Sequence, residues 1–248
     1  MNTRPFDGCS TIVFDDVSYL YLNDDNPVDA YNTRELSFVA QPLSRLNKKY
    51  NVVVVPLMMT DMWRVLKEHP DLLEELRSND KKYDFCFIGG CEHADRNIFR
   101  NLQLESYLFR ETTGGFLYNE QDESLKLQTI VNFLHELSQC KFVFAPRGVG
   151  SSSFRLYESM SVGAVPIITG QPDLPFQEFV NWNEMSLFSR PAEGVRYTHG
   201  LNQMINRAKD MSVVELQVMR QNAIEFWDKY CRHDVLYDNL KRLYHDDF

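Results

Sequence analysis

The chain has 248 residues, which is enough for one large domain or two smaller ones with a substantial hydrophobic core. Hydrophobic residues make up 44% of the sequence and charged residues 25%, the balance of a globular protein in water. A net charge of −9 argues against nucleic acid as the main partner, because two polyanions repel each other.

The cysteines and the apolar runs of the sequence indicate in which cellular compartment the chain is expected. The five cysteines are odd in number and lack the paired spacing of a metal site, which favours a reducing compartment. No apolar run reaches the length of about 18 residues that a membrane-spanning helix needs. The N-terminal segment MNTRPFDGCS contains no apolar core of a signal peptide. We therefore expect a cytoplasmic chain without a membrane-spanning segment.

The first 80 residues have the pattern of a small α/β unit. Short apolar runs predict strands at 11–14, 19–22 and 51–55. Helices are predicted at 32–48, where apolar residues recur every three or four positions, from a cap at Thr60, and at 71–77. The polar segment SNDKK at 78–82 then marks a candidate domain boundary.

The remaining residues predict a second α/β unit followed by C-terminal helices. Strands are expected at 83–88, 116–118, 142–145 and 165–168. Helices are expected from about residue 95 and at 124–137, 212–230 and 234–244. The predicted organisation is thus an α/β domain over 1–80, a nucleotide-binding α/β domain over 81–211, and helices over 212–248 that pack across both.

The stretch 140–169, CKFVFAPRGVGSSSFRLYESMSVGAVPIIT, has the pattern of an anion site. A buried strand ends at Pro146, and Gly148 and Gly150 allow a tight loop that a ligand can approach closely. Three serines at 151–153 can cap the helix that follows, and Gly163 can end it. A helix N-terminus binds phosphate through its N–H groups and dipole, and Arg147 or Arg155 can add bidentate bonds.

Glu158 extends this pattern towards a nucleotide. Ser151, Arg155 and Glu158 are spaced to share one helix face, where the carboxylate can accept hydrogen bonds from two ribose hydroxyls. The alternative is an ordinary βαβ unit in which Arg155 and Glu158 form a surface ion pair of little consequence. The loop is neither a Walker loop nor a dinucleotide fingerprint, because it lacks the Gly-Lys-Ser/Thr sequence and the third glycine respectively.

Several sequence blocks resemble the C-terminal signature of exostosin-family glycosyltransferases. The blocks are PRGVGSSSFRLYESMSVGAVPIIT, LPFQEFVNW and SLF, and they occur in the family's order over about residues 81–190. The resemblance implies two Rossmann-like domains of the GT-B type, the N-terminal one reduced, and transfer with inversion at the anomeric carbon. A compact chain of this kind is also similar to the reduced exostosin-like transferases of large algal DNA viruses.

The resemblance also implies roles for individual residues. The diphosphate of a UDP-sugar would be held by Arg147, Gly148, Gly150, Ser151, Ser152, Ser153 and Arg155. Glu158 would hold the ribose. Arg96, on the second glycine-containing loop, could reach the sugar or the diphosphate, or it could merely be solvated beside Arg100. Among the donors of the family, UDP-xylose is the one that the viral resemblance favours.

Glycosyl transfer with inversion requires a base that deprotonates the acceptor hydroxyl. Asp61 and Asp16 follow predicted strands of the N-terminal unit, and His93 lies on the Gly89 loop, so these three are the candidates, with Asp15 and Glu92 as further possibilities. Each residue also has a purely structural interpretation, as a turn former or a residue favoured at a helix N-terminus. The chain has no hydrophobic-Asp-x-Asp sequence, so no metal or other cofactor is expected.

The sequence therefore predicts a metal-independent, inverting UDP-sugar transferase that acts on a hydroxyl of a glycan or monosaccharide acceptor. One alternative is a catalytically inactive module that binds carbohydrate or nucleotide. The other is a sugar-nucleotide hydrolase, which needs no acceptor.

Overall fold

The computed structural model shows a mixed α/β chain whose described residues form two separate β-sheets. It describes residues 2–5, 11–15, 37–39, 52–57, 59–92, 94–112, 122–148, 152–169, 174–188 and 200–243. Among the helices in these ranges, none combines the length and the apolar character needed to cross a membrane.

The first sheet has four strands, in the order β1-β2-β3-β4. They are β1 (Asn2–Pro5), β2 (Thr11–Asp15), β3 (Ser37–Val39) and β4 (Val52–Val54). The strands β2, β3 and β4 are parallel, whereas β1 pairs antiparallel with β2. The predicted strands at 11–14 and 51–55 are thus confirmed, and the one at 19–22 lies outside the described residues.

The predicted helix at 32–48 is wrong at its centre, because Ser37–Val39 form β3. This short strand pairs with β2 on one side and with β4 on the other, so it gains backbone hydrogen bonds from two neighbours. Phe38 and Val39 also favour strands, and such tertiary pairing overrides a helical spacing of apolar residues. The remainder of 32–48 lies outside the described residues.

The second sheet has five parallel strands, in the order β6-β5-β7-β8-β9. They are β5 (Tyr83–Gly89), β6 (Tyr107–Glu111), β7 (Cys140–Pro146), β8 (Val165–Thr169) and β9 (Leu187–Phe188). The strands predicted at 83–88, 142–145 and 165–168 are confirmed, and the one predicted at 116–118 lies outside the described residues. The edge strands β6 and β9 were not predicted, because neither has the buried apolar run of a central strand.

In the part of the chain that the structure describes, seven α-helices accompany the sheets. They are α1 (Thr60–Glu68), α2 (Leu72–Ser78), α3 (Glu123–Ser138), α4 (Phe154–Ser161), α5 (Leu201–Asp210), α6 (Val213–Phe226) and α7 (His233–Leu243). The predicted helices at these places are confirmed, apart from α5, which was missed. The helix expected from about residue 95 is a 3₁₀ helix over Ala94–Asn101. Thr60 is the first residue of α1 and not its cap, since Met59 occupies the capping position.

Side chains alternate between the two faces of the second sheet. On one face Phe85, Phe87, Phe142 and Phe144 pack with α5 and the 3₁₀ helix in one apolar cluster. On the other face Cys86, Ile88, Val143 and Ala145 belong to a second cluster with residues of α1, α2, α3 and α4. A parallel sheet needs such cover on both faces, and this three-layer packing leaves the strand ends open for a site.

The C-terminal helices return to the first 80 residues, as predicted. A π-helical segment, Trp227–Cys231, continues α6, and its Asp228 accepts two hydrogen bonds from Arg77 of α2, at 2.8 and 3.0 Å. The ring of His233 at the start of α7 lies 5.7 Å from that of Trp63 in α1. Residues on both sides of position 80 share one apolar cluster, and the division of the chain at this position stays a prediction.

Gly163, which follows α4, offers a test of the fold. Its φ of +66° lies in the left-handed region, and a Cβ there would come within 2.9 Å of Ile224 Cδ1. We expect Gly163→Ala to lower the free energy of unfolding by about 1–2 kcal/mol from the backbone conformation, with the clash adding to this cost. Urea unfolding measures the loss.

The Ile224→Val background separates the two causes of this loss. It removes the Cδ1 atom that the new methyl group would meet but leaves the backbone of Gly163 unchanged, so part of the penalty should disappear there. A Gly163→Ala variant as stable as the parent would show that the turn tolerates a side chain.

Candidate functional site

The site lies at the carboxyl ends of the strands in the second sheet. Strand β7 ends at Pro146, and the N–H of Arg147 donates to the Thr169 carbonyl at the end of β8, at 3.0 Å. The N–H of Gly148 then donates to the Ser152 carbonyl at 2.9 Å, which closes the loop that leads into α4. The crevice outside the carboxyl ends of parallel strands is where α/β proteins bind ligands.

Arg96 connects the two glycine-containing loops. Its Nε donates to the Arg147 carbonyl at 3.1 Å, and its two terminal nitrogens lie 3.4 Å from the Gly90 carbonyl and 3.5 Å from the Pro146 carbonyl. Arg96 is therefore held between β5 and β7 and is not a solvated surface side chain. Arg100, one turn further, instead pairs with Glu111 and is exposed.

Two glycines lie beside the Arg96 guanidinium. A Cβ at Gly89 would lie 3.8 Å from Arg96 Nη1, and a Cβ at Gly148 would lie 3.8 Å from Arg96 Nη2, both ordinary van der Waals contacts. The nearest atoms would be Phe87 Cζ and the Ser152 carbonyl oxygen respectively, each at 3.3 Å. A methyl group at either position would therefore crowd these neighbours before it crowded the arginine.

The serines lie at the N-terminus of α4. Ser152 and Ser153 are both buried, and Ser152 Oγ lies 3.5 Å from the hydroxyl of Tyr157. Ser153 occupies the capping position with extended backbone angles, but its side chain makes no capping hydrogen bond. The N–H of Leu156 instead donates to the Ser153 carbonyl at 3.2 Å, so the backbone itself satisfies part of the first turn of α4.

Arg155 and Glu158 form an ion pair inside the protein. Arg155 Nη1 donates to Glu158 Oε2 at 2.8 Å, and the two side chains are only 14% and 9% exposed. The Arg155 guanidinium also lies 4.1 Å from the centre of the Phe133 ring, which α3 supplies. The alternative of a surface ion pair is therefore wrong, since the pair is desolvated and one partner rests on an aromatic face.

Positive charge concentrates at this edge of the sheet. Burial lowers the pKa of Arg96, and the neighbouring charges of Arg155 and Arg147 lower it further. The charges of Arg155 and Arg147 therefore lie close enough to act on Arg96, while Glu92 opposes them and Glu158 balances Arg155. The arrangement suits an anionic ligand.

Asp61 lies in the first turn of α1 and faces α3. Its Oδ2 is 2.7 Å from Lys126 Nζ, and its Oδ1 is 3.8 Å from Arg64 Nη1. Asp61 is 23% exposed and Lys126 only 13%. This carboxylate therefore helps to join α1 and α3, whatever further role it has.

The other predicted residues are only partly described. Asp16, His93, Gly150 and Ser151 lie outside the described residues. Asp15 ends β2, at the carboxyl edge of the first sheet. The Glu92 carboxylate folds back over Gly90, which places it beside one of the carbonyls that Arg96 approaches.

Two neighbours of the site were not found from the sequence. Phe133, the ring under Arg155, is one of the regularly spaced buried residues of α3 and resembles any other core position there. Lys126, the partner of Asp61, looks like a solvated lysine in the first turn of that helix. Neither contact has a local sequence signal, because each joins residues more than 20 positions apart.

A metal centre is not evident in the ranges that the structure covers. There, no three His, Cys, Asp or Glu side chains come together in a way that would hold a metal ion. The four cysteines in these ranges, Cys86, Cys91, Cys140 and Cys231, are buried and free. Metal-independent chemistry stays a prediction.

Comparison with solved structures returns glycosyltransferases at low identity. A mutant of S. aureus TarM in complex with fondaparinux, alpha-GlcNAc-glycerol and UDP has a TM-score of 0.44 and 11% identity, over 83% of this chain and 43% of that one. A glycosyltransferase from Rickettsia africae ESF-5 has a TM-score of 0.42 and 7% identity, over 86% and 64%. The pneumococcal O-GlcNAc transferase GtfA with UDP and GlcNAc has a TM-score of 0.40 and 14% identity, over 93% and 47%.

These overlaps cover less than two thirds of each of those three proteins. Comparison with protein families gives a direct match instead. The Exostosin GT47 domain matches residues 44–203, which is more than half of the chain and includes β5, β7, α4 and the arginine cluster of Arg96, Arg147 and Arg155. The chain therefore belongs to the exostosin GT47 family of glycosyltransferases.

Proposed function

We propose that this protein transfers a sugar from a UDP-sugar to a hydroxyl group of a glycan or monosaccharide acceptor, with inversion and without a metal ion. The observation that carries the proposal is that Arg96, held by the Arg147 carbonyl, lies within electrostatic range of Arg147 and of Arg155 in the first turn of α4. Their charge, of which Glu158 offsets one unit, suits a diphosphate, which no single surface arginine would hold with specificity.

The leaving group explains why such a cluster would accelerate the reaction. As the bond between the sugar and the diphosphate breaks, negative charge on the departing UDP grows. Guanidinium groups and helix N–H groups that are already in place stabilise this charge without reorganisation. The same groups hold the ground state less strongly, so their contribution appears mainly in the rate.

Glu158 supports the nucleotide assignment. It is buried one turn into α4, next to Arg155, with one carboxylate oxygen bonded to that arginine. A ribose whose two hydroxyls donate to this carboxylate would lie directly beside the diphosphate. UDP-xylose is the donor that we propose, and the acceptor side is assigned to the N-terminal part of the chain with Asp61 as its base.

A panel of UDP-sugars tests the proposal. UDP release is measured for each donor with and without acceptor monosaccharides, and binding is followed by thermal shift. Release that depends on an acceptor supports a transferase, and the donor with the highest kcat/KM identifies the sugar. Release without acceptor would instead indicate a hydrolase, and binding without any release would indicate an inactive module.

Binding of UDP should be visible as added stability. We expect UDP at about 100 times its Kd to stabilise the fold by about 2.7 kcal/mol, because it binds only the folded protein.

Metal independence gives a separate prediction. EDTA should leave UDP-sugar turnover unchanged, since arginines and not a cation balance the diphosphate. Turnover that collapses with EDTA and returns with manganese would overturn this part of the mechanism.

A further inference from the structure

A cavity opens at the edge of the five-stranded sheet opposite the candidate site, where β5 and β7 begin. Its volume is about 380 Å³, within the range of about 300–1,000 Å³ that small-molecule sites occupy. We call it the basal cavity. Its charged lining residues are Lys81, Asp84, Lys141, Lys209 and Arg220.

Four cations face one carboxylate in the basal cavity. Asp84 pairs with Lys141 at 2.6 Å, which satisfies both of those charges. Lys81 Nζ instead donates to the carbonyls of Ser138, at 2.6 Å, and Val162, at 3.3 Å. Within the part of the chain that the structure describes, neither Lys81 nor Arg220 has a carboxylate partner.

Both cations keep donors for a ligand. An ammonium group has three N–H donors, and Lys81 uses two of them on carbonyl groups. Arg220 Nε donates to the Gly163 carbonyl at 2.9 Å, which leaves its two terminal nitrogens. Burial lowers the pKa of Lys81 to about 7, and the positive charge of Arg220 contributes. Burial also lowers the pKa of Arg220.

The rest of the basal cavity is largely apolar. Its apolar lining includes Phe85, Phe142, Met211, Val213 and Leu216. Val213 is 71% exposed, so an apolar rim accompanies the half-buried Lys81 and Arg220. Such a lining favours a ligand that joins an apolar body to its charged group over an inorganic ion.

We propose that the basal cavity binds an organic phosphate monoester, with Lys81 and Arg220 holding the phosphate and the apolar lining holding its apolar body. A dianion fits because neither cation has a carboxylate partner among the described residues and each bonds only to carbonyl groups. Bidentate bonds from the guanidinium suit phosphate geometry. The ligand would face the end of α4 opposite the arginine cluster. Lys81 and Arg220 already bond to Val162 and Gly163, the residues that follow that helix.

Calorimetry with phenyl phosphate tests the site, with inorganic phosphate and benzoate as comparison ligands. We expect phenyl phosphate to bind most tightly, and Lys81→Met and Arg220→Met each to weaken it more than 10-fold. Lys82→Met, which changes an exposed neighbouring lysine, should bind like the parent. Saturating UDP should leave this binding unchanged, which separates this cavity from the candidate donor site.

Three results would overturn the proposal. The first is no binding of phenyl phosphate to the parent protein, and the second is tighter binding of benzoate. The third is binding that UDP abolishes and Lys81→Met preserves, since the ligand would then occupy the donor site. UDP-sugar turnover plays no part in these measurements, so failure of the proposed function would not be mistaken for failure of this site.

The pH dependence of phenyl phosphate binding gives a further check, because the charge of Lys81 determines whether the affinity rises or falls. The phosphate binds to protonated Lys81, so above the pKa of about 7 in the free protein each binding event must take up a proton. Affinity should therefore fall between pH 7 and 8.5, by up to about 10-fold per pH unit. The other titratable groups that face Lys81 are Arg220, Asp84, Lys141, Lys209 and Cys140. Affinity that rises over this interval would contradict the assignment of Lys81.

Chemical labelling of the parent protein avoids any dependence on how the variants fold. Formaldehyde condenses with an unprotonated lysine, with loss of water, to an imine that cyanoborohydride reduces to the methylated amine. Mass mapping should find that phenyl phosphate lowers the modification of Lys81, whose nitrogen it covers, and leaves that of the exposed Lys82 unchanged. Equal modification of Lys81 with and without phenyl phosphate would overturn the proposal.

Discussion

Replacing Arg155 by alanine should lower kcat for UDP-sugar turnover by about 10²–10³-fold and raise the donor KM. The first effect has the size seen when one donor to a developing negative charge is removed. The second follows because Arg155 also binds the ground-state diphosphate, less strongly than it binds the departing one. Steady-state kinetics with the best donor, together with UDP titration, separates the two contributions.

This variant has a structural cost that needs its own control. Removing Arg155 leaves Glu158 buried without the partner that lies 2.8 Å away, and a lone buried charge typically costs about 3–5 kcal/mol of stability. The double variant Arg155→Met with Glu158→Gln removes both charges and keeps much of the volume. We expect it to regain most of the lost stability but none of the lost turnover.

The opposite outcome of that control would be informative. Turnover that returns together with stability would mean that the pair serves the fold and that the diphosphate is held elsewhere. Arg155→Lys gives a second, milder comparison, because it keeps the charge but loses the planar group that lies 4.1 Å above the Phe133 ring. We expect that variant to show intermediate turnover with near-normal stability.

The sequence predicts the central unit of the fold well because its signals are local. A buried strand that ends at Pro146, serines at the start of a helix and a glycine at its end each report on residues within a few positions. The structure accordingly has β7, α4 and β8 where the sequence places them. The family motif lies in the same stretch, so recognition and fold prediction depend on the same residues.

The errors occur where distant residues decide the structure. Residues 37–39 form a strand because β2 and β4 lie on either side of them, although the surrounding apolar spacing is helical. Strand β6 forms at the edge of its sheet by pairing with β5, and its residues are only half-buried. Helix propensity and periodicity describe neither situation, since both depend on partners supplied by other parts of the chain.

Some features of the candidate site can likewise be predicted from the local sequence, whereas others depend on distant residues. The residue types of the α4 N-terminus can be read from the sequence, but the depth at which Arg155 and Glu158 lie cannot, because Phe133 comes from another helix. For the same reason, the sequence does not decide whether Arg96 lies at the site or at the surface. Only the carbonyls at the ends of β5 and β7 distinguish it from Arg100, which is one turn away and lies at the surface.

Replacing Asp61 by asparagine should leave UDP binding intact and reduce kcat by about 10²–10⁴-fold, the contribution of a general base. UDP binding should not change, because the base acts on the acceptor hydroxyl. The contact with Lys126 at 2.7 Å makes a control essential, since Asp61→Asn also breaks a partly buried ion pair between α1 and α3. Stability alone could otherwise account for a loss of rate.

Lys126→Met is the matched control for this prediction. It breaks the same ion pair but keeps the carboxylate, so the two variants should lose similar stability in urea unfolding. A base at Asp61 requires that Lys126→Met retain most of the turnover that Asp61→Asn loses. Equal loss of turnover in both variants would mean that Asp61 only links the two helices. Full activity in Asp61→Asn would mean that the base lies elsewhere, and Asp16→Asn and His93→Ala would then be tested. Loss of UDP affinity in Asp61→Asn would show instead that α1 borders the donor and not the acceptor.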